Sequence, residues 1–231
     1  MIILWITLTI IAVFALYCLV PNFIARNYNK SIKRTISRKN GIVLSFDDGP
    51  SAKYTEELLD VLKQNNVKAC FFMVAKRAKE EPDIVKKIQK EGHMICSHGY
   101  EHKSAWLSLP SYVKKDFRKA NEIFSSLDIE IKKFRPPWGT FNLLTVFYAK
   151  KYDLDIILWR VNAADWSNKT SIEDIKERLI SRVRWGDIIC LHDAGGADNA
   201  PKRTIAALKE VIPELKNKGF RFVLLEDKSG K

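Results

Sequence analysis

From Gly41 onward, seven short apolar runs alternate with six amphipathic stretches, and that alternation is the tightest constraint on the fold. The runs cover 42–46, 67–74, 93–96, 131–134, 155–161, 187–191 and 220–225; helical spacing falls at about 54–65, 79–91, 110–127, 141–151, 171–184 and 202–218. Ser171 with Asp174 three residues on marks a helix start, and Gly219 a stop. Strand–helix alternation predicts an α/β fold, a mainly parallel sheet with helices outside. No glycine-rich dinucleotide loop follows the first run, and polar motifs follow at least five different runs. A distorted or incomplete (β/α) barrel of about seven strands gathers residues at its rim in this way; an open doubly wound sheet concentrates them at one crevice.

Residues 1–20 carry no charge. Twenty helical residues reach about 30 Å, the hydrocarbon thickness of a bilayer. No Lys or Arg precedes the run and no small-x-small cleavage site follows it, so a transmembrane anchor is expected rather than a cleaved signal peptide. The expected organisation is an anchor at 1–20, a basic juxtamembrane linker at 21–40 and one α/β domain at 41–231.

The chain has 39 basic and 27 acidic residues, a net charge of +12. Six of the cations (Arg26, Lys30, Lys33, Arg34, Arg38 and Lys39) lie within residues 1–40, where there is no acid. Half of the excess charge therefore flanks the apolar run, where anionic lipid headgroups attract it, and no nucleic-acid motif accompanies it. Taken alone, the positive-inside rule places these cations, and the domain after them, in the cytoplasm. Cys18 lies in the apolar segment, while Cys70, Cys96 and Cys190 sit inside apolar runs and read as small buried hydrophobes.

Asp47-Asp48-Gly49-Pro50 ends the first run. Adjacent carboxylates repel, and a divalent cation on one would leave the other free as a base; a solvated Asp-Gly-Pro turn is the plain alternative. His98 and His102 are four apart, and one helical turn would put both imidazoles on one face. With Asp48 they make a two-His, one-carboxylate set that leaves a coordination position open, as in catalytic zinc sites; cobalt, nickel or iron would also suit these donors. His93 precedes its strand and reads as structural. Arg135, stiffened by Pro136-Pro137, can pair with a base such as Asp47. His192 ends a strongly apolar run, and beside a carboxylate such as Asp165 it can stay protonated and act as an acid.

Taken together, Ser-Phe-Asp-Asp-Gly-Pro at 45–50, Ser-His-Gly-Tyr-Glu-His at 97–102, Arg-Pro-Pro-Trp-Gly at 135–139, Asp165-Trp166 and Leu191-His192-Asp193 resemble the NodB-like polysaccharide deacetylases, carbohydrate esterase family four. The resemblance spans about 41–225. It implies metal-dependent removal of N-acetyl, or sometimes O-acetyl, groups from sugars. It also implies Asp47 as base, Asp48, His98 and His102 as metal ligands, Arg135 steadying Asp47, and Asp165 tuning the acid His192. The Trp138 N–H would hold the oxyanion, Trp166 would line the acetyl pocket, and Pro137 and Leu191 would contact substrate. Three positions depart from the pattern: Ser45 replaces threonine, Asn162 stands where many members have aspartate, and Cys190 where leucine is common.

The expected function is removal of N-acetyl groups from N-acetylglucosamine-type sugars of a cell-wall polysaccharide, with the domain outside the cell. One alternative is a cytoplasmic-face deacylase of a lipid-carrier-linked amino sugar, favoured by the charge count. Another, of a different class, is an inactive carbohydrate-binding module. The expected partners are an N-acetylated amino-sugar polymer or lipid-linked sugar and the membrane, with no nucleic acid.

Overall fold

Seven strands pair in parallel in the computed structural model, which describes residues 1–39 and 41–226. They are β1 (Val43–Asp47), β2 (Cys70–Met73), β3 (Met94–Ser97), β4 (Lys133–Phe134), β5 (Asp155–Ile156), β6 (Val161–Asn162) and β7 (Ile188–His192). Their spatial order is β5-β4-β3-β2-β1-β7-β6. The expected single strand at 155–161 is thus two short ones on opposite edges of the sheet. Only residues 157–160 join them, and five Cα steps reach at most about 18 Å. The two edges are therefore drawn together, and the sheet curls into a half-barrel instead of fanning open.

Strand alternation divides the side chains. Val43, Cys70, Phe72, Cys96, Ile157 and Ile188 form a buried cluster of their own inside the curl, with Leu225. Leu44, Phe46, Phe71, Ile189 and Leu191 point the other way, into the larger core beneath the helices. Each such side chain, fully buried, contributes about 1.5–3 kcal/mol. The helices are α1 (Ile2–Phe14), continued through a π-helical turn (Ala15–Leu19) into α2 (Val20–Asn27), then α3 (Thr55–Gln64), α4 (Ala75–Glu80), α5 (Pro82–Lys90), α6 (Pro110–Ser126), α7 (Leu143–Lys151), α8 (Ile172–Arg182) and α9 (Ala200–Asn217). The Ser171/Asp174 pair forms the expected capping box at the start of α8.

Two local expectations change. The helix at 79–91 is two helices, because Pro82 cannot continue one and turns Glu81 out of helical geometry (φ −125, ψ 58). The run at 220–225 is no strand: β1 already has β2 on one side and β7 on the other, so only Phe222 bridges, to Ile42 just ahead of β1. The basic segment after residue 20 has local structure of its own. It completes the helix to Asn27, then Lys33 bridges to Ile157 and Thr35 to Asp187. The rod Ile2–Asn27 has a window of mean hydropathy 2.6 and is long and apolar enough to cross a membrane.

Candidate active site

The register of β1 against β7 sets Asp47 directly opposite His192. Across the sheet, Ser97 of β3 is paired with Phe134 of β4, so His98 and Arg135 leave neighbouring strand ends together. Arg135 is fully buried. Its Nη1 donates to Asp47 Oδ1 (2.5 Å) and its Nε to the Ile157 carbonyl (3.2 Å), and its guanidinium stacks 3.8 Å from the centre of the Phe72 ring. Charge, two hydrogen bonds and an aromatic face hold the group in one orientation. The second Asp47 oxygen accepts the Cys190 thiol at 3.3 Å.

Asp48, His98 and His102 each offer a donor atom, and the three atoms lie within 4.8 Å of one another. His102 Nε2 is 2.9 Å and His98 Nε2 3.5 Å from Asp48 Oδ1. The two histidines do not share a helical turn, as their spacing suggested. Residues 98–104 form a loop in which Gly99 (φ 83) and His102 (φ 55) are left-handed, and this brings the rings to 5.0 Å between centroids. Asp116 of α6 supports the loop by accepting the Tyr100 N–H (3.0 Å).

The chemistry of this donor set fits a cation. His98 Nδ1 lies 2.7 Å from the Arg135 carbonyl, which only accepts, so the ring proton sits there and Nε2 presents a lone pair. Burial pushes the His98 pKa down to about 4, against the pull of Asp47 and Asp48, so the ring is neutral. Burial raises the Asp48 pKa, but its hydrogen bond with His102 and the charges of nearby histidines outweigh that and hold it at about 2. A neutral His98 lone pair therefore faces an ionised oxygen whose close partner is His102 Nε2. A divalent cation held by Asp48, His98 and His102 would remove that repulsion.

His192 Nδ1 lies 2.9 Å from Asp165 Oδ1. Asp165 is fully buried, and its other oxygen accepts the His192 N–H (2.8 Å) and the Thr204 hydroxyl (2.9 Å). Burial opposes a charge on His192, but the Asp165 carboxylate overcomes it, with help from Asp47 and Asp48, and lifts the pKa to about 9. The ring is protonated at neutral pH.

These groups open on a cleft of ≈ 530 Å³ lined by Asp47, Asp48, His98, His102 and His192, and walled by Trp138, Trp159 and Trp166. Trp138 is left-handed (φ 54), and its ring lies 4.2 Å from that of His102. The backbone bonds of its turn run from Gly139 and Thr140 to Pro136 and Pro137, which leaves the Trp138 N–H outside them. Pro137 is buried within this turn, and Arg135 and Asp165 are buried behind the residues they touch.

Leu191 does not reach the cleft. Strand parity sends it into the core beneath the helices, and Cys190, one residue earlier, lines the cleft instead. Arg77 and Gly195 were not singled out from the sequence. Arg77 donates to the Asp48 carbonyl (2.8 Å), and Gly195 passes so near Asp48 that a Cβ there would sit 2.5 Å from its carboxylate. The Gly195-Gly196 pair soon after a strand was the available signal for that close approach.

His93 lies outside the cleft, with Nδ1 accepting the Ala69 N–H (3.1 Å). Burial, helped by Lys68, pushes its pKa down to about 4. Between pH 6.5 and 4 the unfolded chain binds a proton that the native ring refuses, so stability present above pH 6.5 drains away as pH falls through that window. Denaturant titrations should show wild type losing on the order of 2 kcal/mol more over this range than His93→Gln. Parallel pH curves for the two proteins would contradict the assignment.

A protein-family model described as polysaccharide deacetylase matches residues 34–157. A peptidoglycan-N-acetylglucosamine deacetylase of Bacillus cereus is 36% identical over 188 residues, which are 80% of this chain and 86% of that protein. A chitooligosaccharide deacetylase of Sinorhizobium fredii is 28% identical over 84% of this chain and 94% of its own length. Among solved structures, a peptidoglycan N-acetylglucosamine deacetylase superposes with a TM-score of 0.74 at 34% identity, covering 86% of this chain and 87% of its own. A family 4 carbohydrate esterase from Streptomyces lividans, in complex with acetate, gives 0.73 at 29% identity over 83% and 96%.

Proposed function

The chain belongs to the polysaccharide deacetylase family, and from that premise we propose that it is a metal-dependent hydrolase removing N-acetyl groups from N-acetylglucosamine-type sugars of a peptidoglycan-like wall polymer. The observation that carries this reading is the facing pair Asp47 and His192, one held by Arg135 and the other by Asp165, on either side of the Asp48–His98–His102 donor set. These three residues would hold the ion, and two imidazoles with one carboxylate suit zinc best, with cobalt, nickel or iron as substitutes. When bound, a divalent ion there polarises an amide carbonyl and acidifies a neighbouring water.

The remaining steps belong to side chains. Asp47, aimed by Arg135, accepts the proton of the attacking water. The Trp138 N–H donates to the oxygen that gains charge as the carbonyl becomes tetrahedral. His192 passes its proton to the departing sugar nitrogen, so acetate and a free amine leave together. Trp166 and Cys190 border the space for the acyl methyl; a thiol takes less room than a leucine side chain, so a slightly larger acyl group should be tolerated.

Acetate release from a panel of N-acetylated oligosaccharides and lipid-linked sugars, with zinc or cobalt supplied and EDTA as control, tests the reading. Sugar binding without acetate release under any metal would point to a binding module. Asp165→Asn should lower kcat by roughly 10²–10⁴-fold and pull the alkaline limb of the rate profile toward neutrality, because His192 loses the charge that keeps it protonated. An unchanged pH profile would remove Asp165 from this role.

A second reading is favoured by the six cations beside the apolar run: a cytoplasmic-face deacylase of a lipid-carrier-linked amino sugar. Carboxy-terminal fusions decide between them. An active alkaline phosphatase supports the wall polymer as substrate, and a fluorescent protein that matures instead supports the lipid-linked one.

A further inference from the structure

The amino-terminal helix is docked on the catalytic body. Its segment Ile2–Phe14 buries no side chain, but from the π-helical turn onward it lies along the domain's rim. Tyr17 donates its hydroxyl to the Ser108 carbonyl (3.2 Å), and Cys18 is buried with its thiol toward the Trp106 carbonyl (3.7 Å). Asn22 accepts the Phe141 N–H (3.0 Å), and Arg26 donates to the Gly139 carbonyl (2.9 Å). Asn142 joins the two rim loops by donating to the Ala105 carbonyl (2.8 Å). Helix, loop 105–109 and the start of α7 therefore make one face.

That face is open and apolar. Leu107, Leu109, Leu143, Phe147 and Phe23 are between 56% and 73% exposed, and Leu143 and Phe147 lie one turn apart on the same side of α7. Scattered apolar residues on a surface need no explanation, but a group of five around one docked helix marks a contact surface.

The depth of the helix identifies what covers it. The strongly apolar run ends at Val20, ahead of Pro21 and the polar Asn22, and the first charge is Arg26. Where that run lies in lipid, Tyr17 and Cys18 sit about 3–4.5 Å inside its end, at about 1.5 Å per residue. The carbonyls of Ser108 and Trp106 share that depth because they bond to those two side chains. Leu107 and Leu109, on either side of Ser108, then lie at the boundary between acyl chains and headgroups. Trp106 and Tyr17 are ring types that favour this layer, and Lys30, Lys150 and Lys151 put exposed positive charge near headgroup phosphates.

We propose that this face is a membrane-docking surface, with the catalytic domain lying on the bilayer and Leu107, Leu109, Leu143 and Phe147 inserted beside its own helix. The proposal rests on reading residues 1–20 as membrane-inserted. It places the cleft at the lipid surface, since Arg26 holds the Gly139 carbonyl next to Trp138, a wall of the cleft. The site then meets sugars close to the membrane, not at the end of a free tether.

The test uses the full chain in phosphatidylcholine–phosphatidylglycerol vesicles, with nitroxide labels introduced one at a time by Leu8→Cys, Leu107→Cys, Leu109→Cys and Lys209→Cys. The four native cysteines are buried. Labels at 107 and 109 should collide with oxygen and be shielded from a water-soluble nickel complex, as at 8, whereas 209 on α9 should show the reverse. Water-like labels at 107 and 109 beside a lipid-like label at 8 would overturn docking and leave the anchor standing. A water-like label at 8 would remove the anchor and the docking with it. Adding Leu107→Glu and Leu109→Glu should raise nickel access at a Leu143→Cys label by roughly tenfold, while acetate release from a soluble chito-oligosaccharide stays within about twofold. A label at 143 that remains lipid-like would overturn the role given to the two leucines.

Discussion

Asp47→Asn is expected to cut acetate release by roughly 10³-fold or more while the protein still binds its full complement of metal. The amide keeps the shape of the carboxylate and can still accept the Arg135 Nη1–H, so the buried guanidinium retains a partner. What disappears is basicity. The structure offers few substitutes: Asp48 is committed to the histidine pair, Asp165 is sealed behind His192, and the Cys190 thiol is held protonated by burial, with the Asp47 charge adding to the effect. Kinetics and metal content measured on the same preparation separate the outcomes. A fall in both would make Asp47 part of the donor set, and activity within tenfold of wild type would mean that another group takes the proton.

Asp47, Asp48, His98, Arg135 and His192 could be found in the sequence for one physical reason. Each falls within two residues of the end of an apolar run, and in a parallel α/β sheet strand ends on one side converge. The curl of the sheet was also anticipated, though its cause, the short link between β5 and β6, needed the pairing order. What stayed hidden depends on contacts between distant segments. Arg77 sits on α4, an ordinary basic residue until its guanidinium is seen on the Asp48 carbonyl. Thr204 sits on α9 and shares Asp165 with His192 across 39 residues. Leu191 was misplaced by one residue, and in a strand one residue is the difference between cleft and core. The His98–His102 spacing was right for convergence but wrong in mechanism, since the left-handed turns at Gly99 and His102 depend on packing against Asp116 and Trp138.

His98→Ala should abolish metal binding and reduce acetate release to background, and it carries a thermodynamic signature that a simple packing defect lacks. A ligand that binds only the native state stabilises it by about 2.7 kcal/mol at a hundred times its dissociation constant. Wild type should therefore melt higher with zinc or cobalt than after EDTA, and His98→Ala should melt at the same temperature in both. In EDTA the comparison becomes more informative. The ion-free wild type keeps the His98 lone pair 3.5 Å from the ionised Asp48 oxygen, a contact the variant no longer has. Deleting the ring opens a cavity and strands the Arg135 carbonyl, so the variant is still less stable. The deficit should nevertheless be smaller in EDTA than in metal, by the stabilisation that the ion supplies. An equal deficit in both conditions, or activity that survives EDTA together with this substitution, would show that Asp48, His98 and His102 do not share an ion.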